Sequence, residues 1–298
     1  MATEVSTPAA AAPPIGSRRK PRPVPEGGRV NWGLTIIVAI CSLTIIIPLY
    51  FAIAMALKSP AQTGTGTGFN FPWPIHWGNF RAAWDLTDTP LAFAMSTLVT
   101  VIAVVGEILV SALAAWSIVR NWGHWQFRAT FIYLMLALFI PFPVVALPQV
   151  KLTAALGLDN PFGVAILHIM FQLAFNVLLF SAYIRSIPVE LEESARIDGC
   201  STWQTFRRVV MPLLAPISAT VGIFAFLQSW NDFMMPRLIT ANPSFQTLPV
   251  VQYLFQTQFT TNYNVAFASY LMALLPTLVA FLIGQRWVVS GIMRGSIK

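Results

Sequence analysis

Long stretches without a single charged residue recur along this chain: 30–57, 89–106 continuing past Glu107 to 119, 129–150, 160–184 and 209–231, then the apolar end of 238–285. A helix rises about 1.5 Å per residue and a hydrocarbon core is about 30 Å thick, so each run can cross a bilayer as a helix. The reading is an all-α integral membrane protein with six transmembrane helices, at about 33–57, 90–118, 129–150, 161–184, 212–236 and 265–289. Composition agrees: 10% of residues are charged and 56% hydrophobic, where a soluble domain has about 25% charged residues. Pro141, Pro143 and Pro148 in the third run predict kinks toward its outer end.

Orientation follows from the basic residues, which concentrate on the cytoplasmic side of membrane proteins. With the N-terminus inside, only Lys58, Arg81, Lys151 and Arg237 of the 18 basic residues lie outside. Both termini and the loop near 185–211 are then cytoplasmic, and the net charge of +7 is a topology signal. No extended basic face is formed, so nucleic acid is not a partner. Residues 1–30, rich in Ala, Pro and basic side chains, read as a disordered cytoplasmic tail, and a cleaved signal peptide is not expected. Cys41 falls in the first span and Cys200 in the cytoplasmic loop, so no disulfide is expected between them.

One loop breaks the apolar pattern. Between Arg185 and Pro212 it carries Glu190, Glu192, Glu193 and Asp198 with Arg185, Arg196, Arg207 and Arg208. Pro188 suits a first helical turn and the glutamates follow where the helix dipole favours acids, which predicts a helix over about 187–197. Glu192 and Arg196 stand at i and i+4, a pair worth roughly 0.3 kcal/mol. Gly199 permits a turn that a Cβ would resist, and Ser201 with Gln204 forms the S-x-x-Q signature of a second helix. The product is a helix–turn–helix elbow. Each half is shorter than the roughly 12–15 residues at which an isolated helix becomes marginal, so something must pack against it.

This loop resembles the EAA loop of ABC-importer permeases. Glu193, Ser194 and Ala195 stand for the EAA triplet, Gly199 for the glycine that follows after three intervening residues, and Val209, Met211 and Pro212 for the closing I-x-L-P. The departures, Ser194, Val209 and Met211, are conservative in size. FNFPWPIHWGNFRAAW at 69–84, MSTL at 95–98, SALAAWSIVR at 111–120, LGLDNPFG at 156–163, SIPVELEE at 186–193, WNDF at 230–233 and the closing QRWVVSGIMRGSIK are similar to the carbohydrate-type permeases related to the maltose system. The resemblance spans 31–298. It implies a type I ABC-importer permease fold and makes Glu192, Glu193, Ser194, Ala195, Asp198 and Gly199 the residues that couple the permease to an ATPase.

Two acids inside or beside spans remain open. Glu107 lies within the second span, where a charge costs about 2.5–3.5 kcal/mol on insertion scales. It reads as an interhelical hydrogen-bonding group, a pore-lining group or a proton relay. Asn231 and Asp232, near the outer end of the fifth span, read as a structural interface or as part of a pathway or gate. Outside, Trp73, Trp77, Phe80 and Trp84 read as an interfacial belt or as a docking surface, and the polar stretch 240–264 as a connector or a loop that reaches a partner. His76, His124 and His168 are isolated, so no metal site is expected. GTGTGFN at 64–70 reads as a flexible external loop and lacks the P-loop lysine, and no nucleophile–base set is present.

The resemblance therefore implies a nonenzymatic subunit of a bacterial or archaeal inner membrane, binding no cofactor of its own. Its partners would be a second, homologous permease, two ABC ATPase subunits that use ATP and Mg, an extracytoplasmic sugar-binding protein, and the lipid bilayer. ATPase closure would drive two such elbows together and switch the pathway from inward to outward access. The cargo would be a sugar, an oligosaccharide or a glycerol-phosphate-like polyol derivative. A self-contained secondary transporter or channel is the rival reading, with Glu107 and Asp232 as its support.

Overall fold

The computed structural model describes residues 31–85, 88–258 and 262–296. Every regular element among them is helical. The expected tail at 1–30 lies outside the described residues.

Four helices are long and apolar enough to cross a membrane singly, and two bent pairs raise the count to six. The first, α1 (Trp32–Leu57), is divided at Pro48 between two compact units. In the unit ending at Ile47, the hydroxyls of Ser42 and Thr44 donate to Val38 O at 2.8 Å and Cys41 O at 2.6 Å. These bonds satisfy the hydroxyls within the helix, and the apolar side chains Leu34, Ile36, Val38 and Ile40 are exposed, as suits a lipid-facing surface.

The larger unit starts with the end of α1, followed by α2 (Pro60–Thr65) and α3 (Gly78–Asp85). The last carbonyls of a helix lack intrahelical donors. Here side-chain amides supply them: Asn79 Nδ2 donates to Ala56 O and Lys58 O at 2.8 and 2.7 Å, and Asn264 Nδ2 donates to Met55 O at 2.8 Å. The glycine-rich stretch expected to be flexible is tied down by Lys58 Nζ on Thr67 O (2.7 Å) and Tyr50 Oη on Phe69 O (3.0 Å).

The second span, α4 (Thr89–Arg120), is the spine of this unit. It packs most extensively against α7 and next against α11. Small residues line it: Ala92, Ala103, Ala112 and Ala115 are buried, which lets helix backbones approach closely.

The third span differs from expectation. Instead of one kinked helix over 129–150, α5 (Trp125–Ala137) and α6 (Phe142–Ala155) meet at 106° across a break. The turn closes through Phe139 N on Leu136 O and Ile140 N on Ala137 O, and Pro141 then stands at the N-cap with extended backbone. A proline has no N–H and disfavours helix in the residue before it, so Pro141 and Pro143 end one helix and start another.

The fourth span, α7 (Pro161–Ile184), starts where Asn160 Oδ1 accepts from Phe162 N and Gly163 N, at 3.0 and 3.3 Å. The elbow follows as α8 (Glu190–Ile197), α9 (Thr202–Thr205), a π-helical turn over Phe206–Val210, and α10 (Met211–Leu213). The fifth span, α11 (Ala215–Asn231), leaves this segment at 77°. It stops at Asp232, short of the 236 expected, and resumes as α12 (Met234–Ile239). The stretch expected to be a polar loop contains α13 (Leu248–Gln258), in which Leu248, Val250 and Val251 are buried. The sixth span, α14 (Tyr263–Ser296), packs against α11 and α3.

Candidate functional site

The elbow is built as its residues dictate, with one shift. Its first helix begins at Glu190 and not at Ile187, because Ser186 N and Ile187 N still close the last turn of α7, on Tyr183 O and Ile184 O. Val189 O then accepts from Glu192 N and Glu193 N, at 2.9 and 3.1 Å. Gly199 has φ +83°, the left-handed conformation that costs a side-chain-bearing residue about 1–2 kcal/mol. Cys200 N reaches back to Ala195 O at 3.0 Å, completing the C-terminal cap. The second helix opens with a capping box: Ser201 N donates to Gln204 Oε1 at 2.8 Å, and Gln204 N donates to Ser201 Oγ at 3.3 Å. Pro212 has no N–H to offer Arg208, and the preceding turn widens so that Met211 N reaches Phe206 O.

The acids of this loop are sorted by burial. Glu190, Glu193 and Asp198 are exposed, as are Ser194, Arg196 and Gly199. Ala195 is buried at 8%. Glu192 is buried too, at 1%, and it points into the bundle. Its Oε1 accepts from Arg120 Nε at 2.8 Å and its Oε2 from Trp116 Nε1 at 3.0 Å. The expected i,i+4 partner, Arg196, is not its partner: the cation is Arg120 of α4. The distinction matters because an exposed pair contributes about 0.2–1 kcal/mol, whereas removing one member of a buried pair costs about 3–5 kcal/mol. Around this pair lies an apolar cluster containing Trp116, Val177, Phe180, Ile184, Phe206 and Val210.

The outer face of the elbow also carries apolar side chains that charge patterning does not reveal. Ile197 at the end of α8 is 86% exposed and Trp203 of α9 59%, and Leu191 near the start of α8 is exposed as well. Burying a side chain of this kind against a partner is worth about 1.5–3 kcal/mol. The available signal was the amphipathic period of α8, whose apolar positions split between the bundle and the outer face.

A second constellation lies along the spans. Asp232 ends α11 and caps α12, its Oδ1 accepting from Met234 N at 3.0 Å and Met235 N at 3.4 Å. Its Oδ2 lies 2.8 Å from His168 Nε2, and His168 Nδ1 lies 3.0 Å from Ser229 Oγ, which donates to Thr100 Oγ1 at 3.4 Å. Asp232 and Asn231 share the wall of a cavity of about 340 Å³ with Gln228, Phe142, Phe171 and Met235. That volume is in the range of small-molecule sites. Glu107 lies elsewhere, 1% exposed, and accepts from Asn176 Nδ2 at 2.9 Å across the contact of α4 with α7. The role of His168 was missed: nothing in the sequence brings 168 beside 232. Among the described residues, no three His, Cys, Asp or Glu side chains gather as a metal site would require.

A bundle of apolar spans with a capped elbow packed against it is the architecture of a helical integral membrane protein. Residues 107–293 match the family of binding-protein-dependent transport system inner membrane components, and the chain belongs to that family. It is therefore a multi-pass inner-membrane protein and the permease component of an ABC transporter, a nonenzymatic subunit. Among its relatives is the multiple sugar-binding transport system permease protein MsmG of Streptococcus mutans, 35% identical over 69% of this chain and 76% of that one. Another is the diacetylchitobiose uptake system permease protein DasC of Streptomyces coelicolor, 30% identical over 91% of this chain and 98% of that one. A chain of a bacterial ABC transporter involved in the import of the acidic polysaccharide alginate has the same fold, with a TM-score of 0.75 at 22% identity, over 88% of this chain and 99% of that one.

Proposed function

We propose that this chain forms half of the translocation pathway of an ATP-driven sugar importer, and that its elbow is the surface on which a separate ATPase acts. The single observation that carries the reading is the elbow itself: two short capped helices fixed to the bundle, presenting Glu193, Ser194, Asp198 and Gly199 with Ile197 and Trp203 on the outer face. Ala195 sits at the root of that face and Glu192 holds it from behind. Exposed acids beside an exposed isoleucine and tryptophan suit a groove that is apolar in its centre and basic at its rim.

The rest of the assembly follows from that reading. A second, related permease completes the pathway, two ATPase subunits bind ATP and Mg, and an extracytoplasmic binding protein delivers the cargo. Both termini and the elbow are cytoplasmic, supported by the distribution of Lys and Arg. Residues 1–30 form a cytoplasmic tail, and 31–298 form the permease domain. Carbohydrate is the proposed cargo, supported by what the named relatives carry. Asn231 and Asp232 belong to the pathway wall or its gate, supported by the cavity they line, while Glu107 ties α4 to α7.

The test is purification of the chain with its co-assembling subunits, followed by a sugar-panel binding assay on the binding protein and uptake into sealed vesicles. ATP-dependent uptake is expected from the whole complex alone. Uptake by the purified single chain, driven by an ion gradient, would overturn the proposal in favour of a self-contained transporter.

A further inference from the structure

The elbow's inner attachment has a geometry that its docking role does not require. Trp116 and Arg120 are one turn apart on α4, so their side chains leave the same face, and each binds a different oxygen of Glu192. Arg120 also extends Nη2 to Ile187 O at 3.2 Å, so one guanidinium holds both α8 and the segment leading into it. Exposure falls toward the centre of this contact: the side chain of Arg120 is 17% exposed and that of Glu192 1%. Trp116 continues the attachment into the second half of the elbow, its ring 5.2 Å from Phe206, which in turn stacks on Trp203 at 5.7 Å. Both arms of the elbow are thereby joined to one end of one long helix.

That helix reaches the other constellation. From Arg120 to Thr100 α4 runs about 30 Å at 1.5 Å per residue. Thr100 accepts from Ser229, whose hydroxyl meets His168, which meets Asp232 on the cavity wall. On either side of α8 the chain offers only a short connection after α7 and the left-handed turn at Gly199. Without the contacts to Glu192 and Ala195, a push on an eight-residue helix would swivel it about these joints.

We propose that Glu192, Arg120 and Trp116 are a transmission clamp: they lock the elbow to α4 so that displacement of the elbow becomes displacement of α4 and of the cavity wall it supports. The proposal rests on the elbow being the surface on which an ATPase acts. Within it Glu192 is a positioning residue, and the residues that meet the ATPase are those on the outer face.

The experiment uses the full complex with Cys41 and Cys200 replaced by serine and a reporter Gln228→Cys in the cavity. Its reaction rate with a water-soluble maleimide is read with and without ATP plus vanadate, alongside ATP hydrolysis and pulldown of the ATPase. In the parent, nucleotide is expected to change the rate about tenfold, within the usual span of allosteric coupling. Glu192→Gln, close to isosteric, should keep the ATPase bound and hydrolysing while the nucleotide effect shrinks to about twofold or less, and Arg120→Gln should do the same. The double substitution should be no worse than either single one, because all three remove one interaction. An undiminished nucleotide effect in Glu192→Gln overturns the clamp, as does loss of the ATPase from its pulldown, which would make Glu192 a docking residue. Should Arg120→Gln fail to assemble, Trp116→Phe decides, with a weakened nucleotide effect expected and an unchanged one contradicting. A failure of the docking reading itself looks different: Glu193→Lys would then leave ATPase capture at the parent level.

Discussion

The elbow and the cavity wall each contain an acid bound to a helix-borne partner, buried at Glu192 and half-buried at Asp232, and the two acids have different neighbours. Glu192 meets a permanent cation and an indole N–H from a single helix, so its whole carboxylate is committed to holding one element against another. Asp232 meets a histidine and two backbone amides of its own next helix, and about a fifth of its side chain still faces the cavity. One acid is a fastening; the other shapes a helix break and stands in the cavity wall. Glu107 completes the comparison as a buried acid with a neutral partner, Asn176, outside the wall of the cavity that Asp232 lines. The partner and the remaining exposure, and not the presence of an acid in a span, distinguish the three.

That comparison is most easily broken at the elbow. Gly199→Val places a β-branched residue at φ +83°, and Glu193→Lys inverts a charge on the outer face, neither touching a span. Both are expected to insert normally, with binding-protein-stimulated ATP hydrolysis and sugar uptake of the reconstituted complex reduced about tenfold or more, as loss of a hot-spot contact worth about 2 kcal/mol implies. Parent-level stimulation and uptake at equal expression would remove the elbow's functional role.

A smaller effect is expected at the cavity. Asp232→Asn keeps the cap of α12, since Asn caps as well as Asp, but weakens the bond to His168 from a charge-assisted one. Uptake should fall about threefold to tenfold, the size of one weakened charge-assisted bond, while ATPase capture is unchanged. Reduced capture would mean that the two regions are not separable. The smallest effect is expected at Glu107→Gln, which retains a side-chain acceptor for Asn176. Uptake within about twofold of the parent and an unaltered pH profile support an interhelical tie, and a pH profile that flattens would support a proton relay.

Much of this was legible in the chain. Of the four unbroken spans, α1, α4 and α7 begin and end within a residue or two of the charge-free runs, because the membrane imposes a length that composition alone reports, whereas α14 starts well inside its run, at Tyr263. The turn at Gly199 and the capping box at Ser201 were legible because both are local chemistry. What was not legible depends on pairing across the chain: Arg120 with Glu192 is a contact over 72 positions, and His168 with Asp232 over 64. The i,i+4 rule offered Arg196 to Glu192, but that arginine is exposed, and the buried carboxylate takes the cation available inside. The third span failed for a different reason: three prolines announce a disturbance without stating whether the helix kinks or turns by 106°.

The central claim, that the outer face of the elbow meets an ATPase, has a direct measurement. With Cys41 and Cys200 replaced by serine, Ile197→Cys places a thiol at the most exposed apolar position of α8. A short bifunctional maleimide applied to the assembled complex should link this cysteine to the ATPase subunit, and an otherwise identical Phe139→Cys, exposed at the break after α5, should not be linked. Cross-links from Phe139→Cys and none from Ile197→Cys would contradict the account.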